Sequence, residues 1–115
     1  MAIQKFEDIV GWKKAQDMSV EVYANFRMSK DYGFKDQICR ASVSVSNNIA
    51  EGFDRSSHAD FRRFLYISLA SFSEVKSMLY LAERLEYLNG EKAIGIRGQC
   101  SEISKIITGL IKSLN

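Results

Sequence analysis

Between Phe34 and Phe53 there is no proline and no glycine before Gly52, so nothing in the stretch breaks a helix. Its middle, Ser42-Val43-Ser44-Val45-Ser46, alternates polar and apolar as a half-buried strand does, and valine favours strands. The longer window overrides that alternation. At 100° per residue, Phe34, Ile38, Ala41, Val45, Asn48 and Ile49 fall on one side in an i, i+4, i+7 ladder. Cys39, Val43 and Ala50 fall on a second side, and Gln37, Arg40, Ser44, Asn47, Glu51 and Arg55 on a third. The spacing predicts one continuous helix.

The rest of the chain divides the same way. A first helix is expected from about Asp8 to Met28, with Trp12, Ala15, Ser19, Val22 and Phe26 as its apolar stripe. Ser57, three residues before Asp60, reads as the N-cap of a third helix that runs from about His58 to Leu88. Phe61, Phe64, Leu65, Ser68, Phe72, Val75, Leu79 and Ala82 share its face. Asn89-Gly90 marks the next turn, and Ile96, Cys100, Ile103, Ile107, Leu110 and Leu114 line one face of a fourth helix. Proline is absent from the whole chain, and glycine sits mainly near these expected helix ends.

Four amphipathic helices on short connections pack most simply as an all-α, antiparallel up-down-up-down four-helix bundle. The whole chain, residues 1–115, is expected to be one such domain, long enough to bury a real core. The N-terminal stretch has no apolar segment of a secretory signal, and no run approaches the roughly 20 apolar residues that span a bilayer. Two cysteines do not make a disulfide framework, and both lie on apolar faces, so a reduced, cytoplasmic protein without membrane contact is expected. A net charge of +2 is too small to argue for nucleic acid by itself. The apolar arc of the third helix spans roughly 160°, wider than a surface helix needs, and Leu69, Tyr80 and Tyr87 extend it. With Cys39, Val43 and Ala50 on the second helix, this leaves apolar surface for a partner, and self-association is the simplest one.

Three stretches, "FEDIVGWKKAQDMSVEVY", "QICRASVSVSNNIAEGFDRSS" and "FRRFLYISLASFSEV", together resemble the bacterial four-helix bundle family. That family was first noted as reading frames inside intervening sequences of large-subunit (23S) ribosomal RNA genes, and it includes the accessory variability determinant of diversity-generating retroelements. The most specific positions are Gln37-x-x-Arg40-Ala41, then Asn48-Ile49-Ala50-Glu51-Gly52 to Arg55, with Trp12 and Ser71-x-x-Glu74. The resemblance implies a four-helix bundle assembled into a homopentameric ring. For the retroelement member it also implies binding of a reverse transcriptase and of nucleic acid.

The matching polar positions make a stripe of Gln37, Arg40, Ser44, Asn47, Asn48, Glu51 and Arg55, faced on the third helix by Ser71 and Glu74. A tight turn near residues 54–56 places Arg40 level with Ser71 and Gln37 level with Glu74. The stripe is then a device that fixes packing and assembly register, or a binding groove. Buried, it requires a partner for each charge: Glu74 for Arg40, and Arg55 for Glu51 at i, i+4.

Catalytic and metal chemistry have little to work with. His58, the one histidine, sits in the first turn of a helix, and there is no CxxC or HxxxH spacing to hold zinc. No serine or cysteine has another candidate base. "GIRG", at Gly95 to Gly98, lacks the length and lysine of a phosphate loop. No cofactor and no enzymatic activity are expected, an unrecognised small-molecule site being the remaining alternative. Arg55, His58, Arg62 and Arg63 cluster around the start of the third helix, where a phosphate of RNA or DNA would be favoured. Asp54 and Asp60 lie in the same cluster and oppose it.

Overall fold

The computed structural model describes residues 3–114; Met1, Ala2 and Asn115, part of the expected 1–115 domain, lie outside the described residues. A 3-10 turn at Phe6–Asp8 leads into α1 (Val10–Phe26), α2 (Tyr32–Phe53), α3 (His58–Arg84) and α4 (Gly90–Lys112). There is no strand among the described residues. The Ser-Val-Ser-Val alternation therefore lies inside α2, as the longer period requires.

Three of the four helices start on a side-chain cap that satisfies a backbone N–H with no partner inside the helix. Asp31 Oδ1 accepts from the Phe34 amide at 3.1 Å, Ser57 Oγ from the Asp60 amide at 3.1 Å, and Asn89 Oδ1 from the Lys92 amide at 2.9 Å. Asn89-Gly90 is thus a cap and the first helical residue. α3 stops at Arg84, short of the expected Leu88, because Glu86 takes a left-handed φ of 61°. The Tyr87 amide then folds back to the Ala82 carbonyl at 2.9 Å, and that of Glu86 to Glu83 at 3.1 Å, the double closure of a Schellman cap.

α1 packs on α2 and α4, and α3 packs on the same two helices, while neither diagonal pair touches. Cross-helix bonds give the sense of each pair. Gln16 reaches Ser46 while Phe26 packs on Phe34, Gln37 reaches Glu74 while Ser68 reaches Val45, Arg97 reaches Glu83 while Arg62 reaches Leu114, and Lys14 reaches Glu102 while Cys100 lies against Met18, so numbers rise on one helix as they fall on its neighbour. Antiparallel neighbours in a square are an up-down-up-down bundle, 43 × 22 × 19 Å in extent. Its core holds Met18, Val22 and Phe26, Ile38, Val45 and Ile49, Leu65, Phe72 and Leu79, and Ile103 and Ile107, all fully buried. Each such side chain contributes about 1.5–3 kcal/mol relative to exposure.

On α1 the buried position is Met18, with the expected Ser19 half-buried and Trp12 at the margin of the core. Both cysteines are free and buried. Desolvation raises the thiol pKa of each, that of Cys100 to about 11, and Cys100 Sγ lies 3.3 Å from Met18 Sδ. They are packing residues. Cys39 is therefore absorbed by the core, while Val43 and Ala50, expected on the same side, are half-buried.

Candidate functional site

α2 and α3 approach each other through small residues. Ser68 is fully buried and its Oγ donates to the Val45 carbonyl at 2.9 Å across the pair, while the buried Ser42 turns its hydroxyl to the Cys39 carbonyl and Ser46 accepts from Gln16 of α1. At the end of α2, a Cβ on Gly52 would lie 2.5 Å from Cβ of Phe64, closer than two carbons pack. The glycine of the NIAEG ending is there because Phe64 occupies the space a side chain would need.

The polar stripe divides in two on this frame. Its inner half bonds α2 to α3: Gln37 Nε2 donates to Glu74 Oε2 at 3.1 Å, and the Ser44 and Ser71 hydroxyls are 2.9 Å apart. Asn48 Nδ2 donates to both the carbonyl and the hydroxyl of Ser44, at 2.8 and 2.9 Å. The expected level of Gln37 with Glu74 is what the hydrogen bond records. The expected Arg40–Glu74 pair does not form within the subunit: Gln37 takes one oxygen of the Glu74 carboxylate, and Arg40 lies on the outer side of α2. Nor does Glu51 pair with Arg55, whose guanidinium lies 4.9 Å from the centroid of Phe64.

The outer half consists of Arg40, Asn47 and Glu51, all exposed in the single subunit. They line a shallow groove of about 380 Å³ with Tyr23 and Val43. A second depression of about 280 Å³ continues from Tyr23 and Arg40 toward Arg27, Lys35 and Asp36. Val45 faces the core and Val43 faces this groove. Tyr23 was not among the expected site residues; the sequence sign for it is a tyrosine one turn after Ser19, off the apolar stripe of α1.

The arginine cluster at the start of α3 also divides. Arg63 lies 4.8 Å from the Phe64 centroid and 3.8 Å from Asp60, so two guanidiniums, those of Arg55 and Arg63, share one ring. Arg62 turns the other way, and its Nη1 donates to the Leu114 carbonyl at 2.8 Å, tying α3 to the end of α4. His58 is exposed in the first turn. Among the described residues no group of three His, Cys, Asp or Glu side chains could hold a metal ion, and no helix is long and apolar enough to cross a membrane.

The outward side of α3 carries a run of exposed apolar side chains. Ala59, Arg63, Tyr66, Ala70, Ser73, Ser77, Tyr80 and Arg84 follow one another at spacings of 4 and 3. Tyr66 is 59% exposed, Tyr80 56%, and the flanking Leu81 and Leu85 45% each. Arg97 covers one face of Tyr80, 4.0 Å from its centroid, and is held there by Glu83 at 3.1 Å. Of the expected Leu69, Tyr80 and Tyr87, only Tyr80 lies on this surface: Leu69 packs against the core and Tyr87, beyond the end of α3, packs on Phe34, while Tyr66, Ile67 and Leu81 were not expected. Their sign was the seven-residue period itself.

A four-helix up-down bundle with a polar ladder between α2 and α3 and an unpartnered outer helix face defines the protein by class. The family follows from the sequence: residues 7–109 match the model of the 23S rRNA-intervening sequence protein family, and the chain belongs to it. It is also similar to a crystal structure from Bacteroides thetaiotaomicron, a protein of unknown function from the S23 ribosomal protein family. The two are 30% identical over 90% of this chain and 99% of that one, with a TM-score of 0.83. Among curated proteins, none matches the chain.

Proposed function

We propose that the protein is a non-enzymatic assembly and binding module of the cytoplasm, whose copies associate with one another in a ring of five, as the family resemblance implies. The observation that carries this reading is the outward face of α3. Contiguous exposed apolar side chains on one helix are a mark of an interaction surface, and the 4-3 spacing is the one with which two helices interlock side chains. Ala59, Ala70, Ser73 and Ser77 let a second backbone come close, while Tyr66, Ile67, Leu81 and Leu85 supply the area to bury. Sedimentation equilibrium at micromolar concentration tests it. The expected result is a species larger than a dimer, and a monomer overturns the reading.

A second reading adds RNA or DNA as a ligand, with a reverse transcriptase as the protein partner by analogy with the retroelement member. It is supported by the Arg55 and Arg63 guanidiniums on Phe64. Stacking fixes both planes while their N–H edges remain open to a phosphate. Affinity should then fall steeply between 50 and 200 mM salt as counterions are released, and Arg55→Glu with Arg63→Glu should weaken all sequences alike. Salt-insensitive binding, or none, removes this reading.

A further inference from the structure

We propose that the exposed charges of α2 and α3 are the two halves of one subunit boundary: Arg40 and Glu51 of one copy pair with Glu74 and Arg63 of the next. The proposal rests on the self-association reading above and names the faces that meet. It starts from an imbalance. Arg40 and Glu51 line the Tyr23–Val43 groove with no charged partner among the described residues of their own subunit, and the groove lies open beside them. On α3, Glu74 gives one carboxylate oxygen to Gln37, and Arg63 is 3.8 Å from Asp60 at a largely exposed position, so both have bonding capacity left.

Height along the bundle decides which charges can meet. The Gln37–Glu74, Ser44–Ser71 and Ser68–Val45 bonds fix the register of α2 against α3. On that register Arg40 stands at the height of Ser71 to Val75, and Glu51 at the height of Asp60 to Phe64. A rotation about an axis parallel to the bundle carries one copy onto the next without changing height. When the outer face of α3 enters the α1–α2 groove of a neighbour, Arg40 therefore comes opposite Glu74, and Glu51 opposite Arg63. Both contacts are of opposite sign, at the two ends of the same groove. Between them α3 presents Tyr66, Ile67 and Ala70, and the groove presents Val43 and Asn47. The two faces are different surfaces of one chain, so the contact is head-to-tail, the kind that closes into rings rather than two-fold dimers.

The test is a charge swap, read by sedimentation velocity over a concentration series with circular dichroism to verify the fold. Arg40→Glu alone and Glu74→Arg alone place like charges opposite one another and should each raise the dissociation concentration about tenfold or more. The double variant Arg40→Glu/Glu74→Arg should recover assembly to within about threefold of the unmodified protein. Glu51→Arg with Arg63→Glu provides the same cycle at the other end, should either first variant fail to fold. Single reversals that leave the assembly unchanged, or a double variant that recovers nothing, overturn the pairing while self-association stands. An unmodified protein that is monomeric throughout overturns both.

Discussion

At Gly52 the last turn of α2 is pressed against Phe64, so a methyl group there would meet the Cβ of Phe64 at 2.5 Å and the Phe61 ring at 3.1 Å. The obstacle is the root of a side chain on a rigid helix, which cannot swing aside, so α2 and α3 must part at the point where their short connection holds them together. Gly52→Ala gains helix propensity of about 1 kcal/mol but should lose more to overpacking, for a net destabilisation of about 1–2 kcal/mol. A thermal melt at fixed concentration should show a midpoint several degrees lower, and an unchanged or higher midpoint would refute the close approach. Gly52 stood among the most family-specific positions of the sequence, yet its reason was not legible there, because it depends on the distance between two helix axes. The Gln37–Glu74 bond was legible, since register follows from the length of one turn. The fate of Arg40 was not, because its place in the groove beside Tyr23 depends on how α1 packs on α2.

Among the elements, the junction of α3 and α4 carries the clearest local strain. Glu86 holds φ at 61°, a conformation that costs a residue with a Cβ about 1–2 kcal/mol and glycine very little. Glu86→Gly should therefore stabilise the fold, by about 1 kcal/mol at most after the cost of a more flexible unfolded chain, and raise the melting midpoint; a lower midpoint would show that the Glu86 side chain contributes more than its backbone costs. The cap brings Tyr87 back over the start of α2, where its ring packs edge-on against Phe34 with centroids 5.4 Å apart and its hydroxyl donates to Asp31 Oδ2 at 2.7 Å. Asp31 thereby caps α2 with one oxygen and fastens the α3–α4 turn with the other. The Tyr87 hydrogen bond first, and the Phe34 amide second, lower the pKa of the Asp31 carboxyl below its ordinary value. A carboxyl depressed in the folded state stabilises it at pH above the unfolded value, and that contribution is lost as pH falls through the folded value. Asp31→Asn and Tyr87→Phe should each flatten the acid side of the stability–pH profile relative to the unmodified protein, and a profile identical to it would show that the bond carries no weight. The period of the apolar residues located all four helices, whereas this end of α3 was misplaced by four residues because nothing in Leu85-Glu86-Tyr87 announces a left-handed turn.

For the whole molecule the decisive quantity is how much of its stability belongs to one copy. The bundle buries its core without help, with Met18, Val45, Leu65 and Ile107 closed from water inside a single subunit. An isolated copy should therefore remain folded and helical. α3 nevertheless leaves a seam of tyrosines, leucines and small residues along its outer side, and covering that seam adds stability that depends on the presence of other copies. Anything that binds the folded state and not the unfolded one raises the midpoint with its own concentration. The melting midpoint of the unmodified protein should thus rise steadily from sub-micromolar to hundred-micromolar concentration. Leu81→Asp puts a carboxylate at a position that is 45% exposed in the subunit, on the outer face of α3 that the proposed assembly covers. Its expected behaviour is a monomer by sedimentation, a helical spectrum like that of the unmodified chain, and a midpoint that no longer moves with concentration. If the unmodified midpoint is itself flat with concentration, or if Leu81→Asp leaves both midpoint and mass as they were, the outer face of α3 is not where copies of this protein meet.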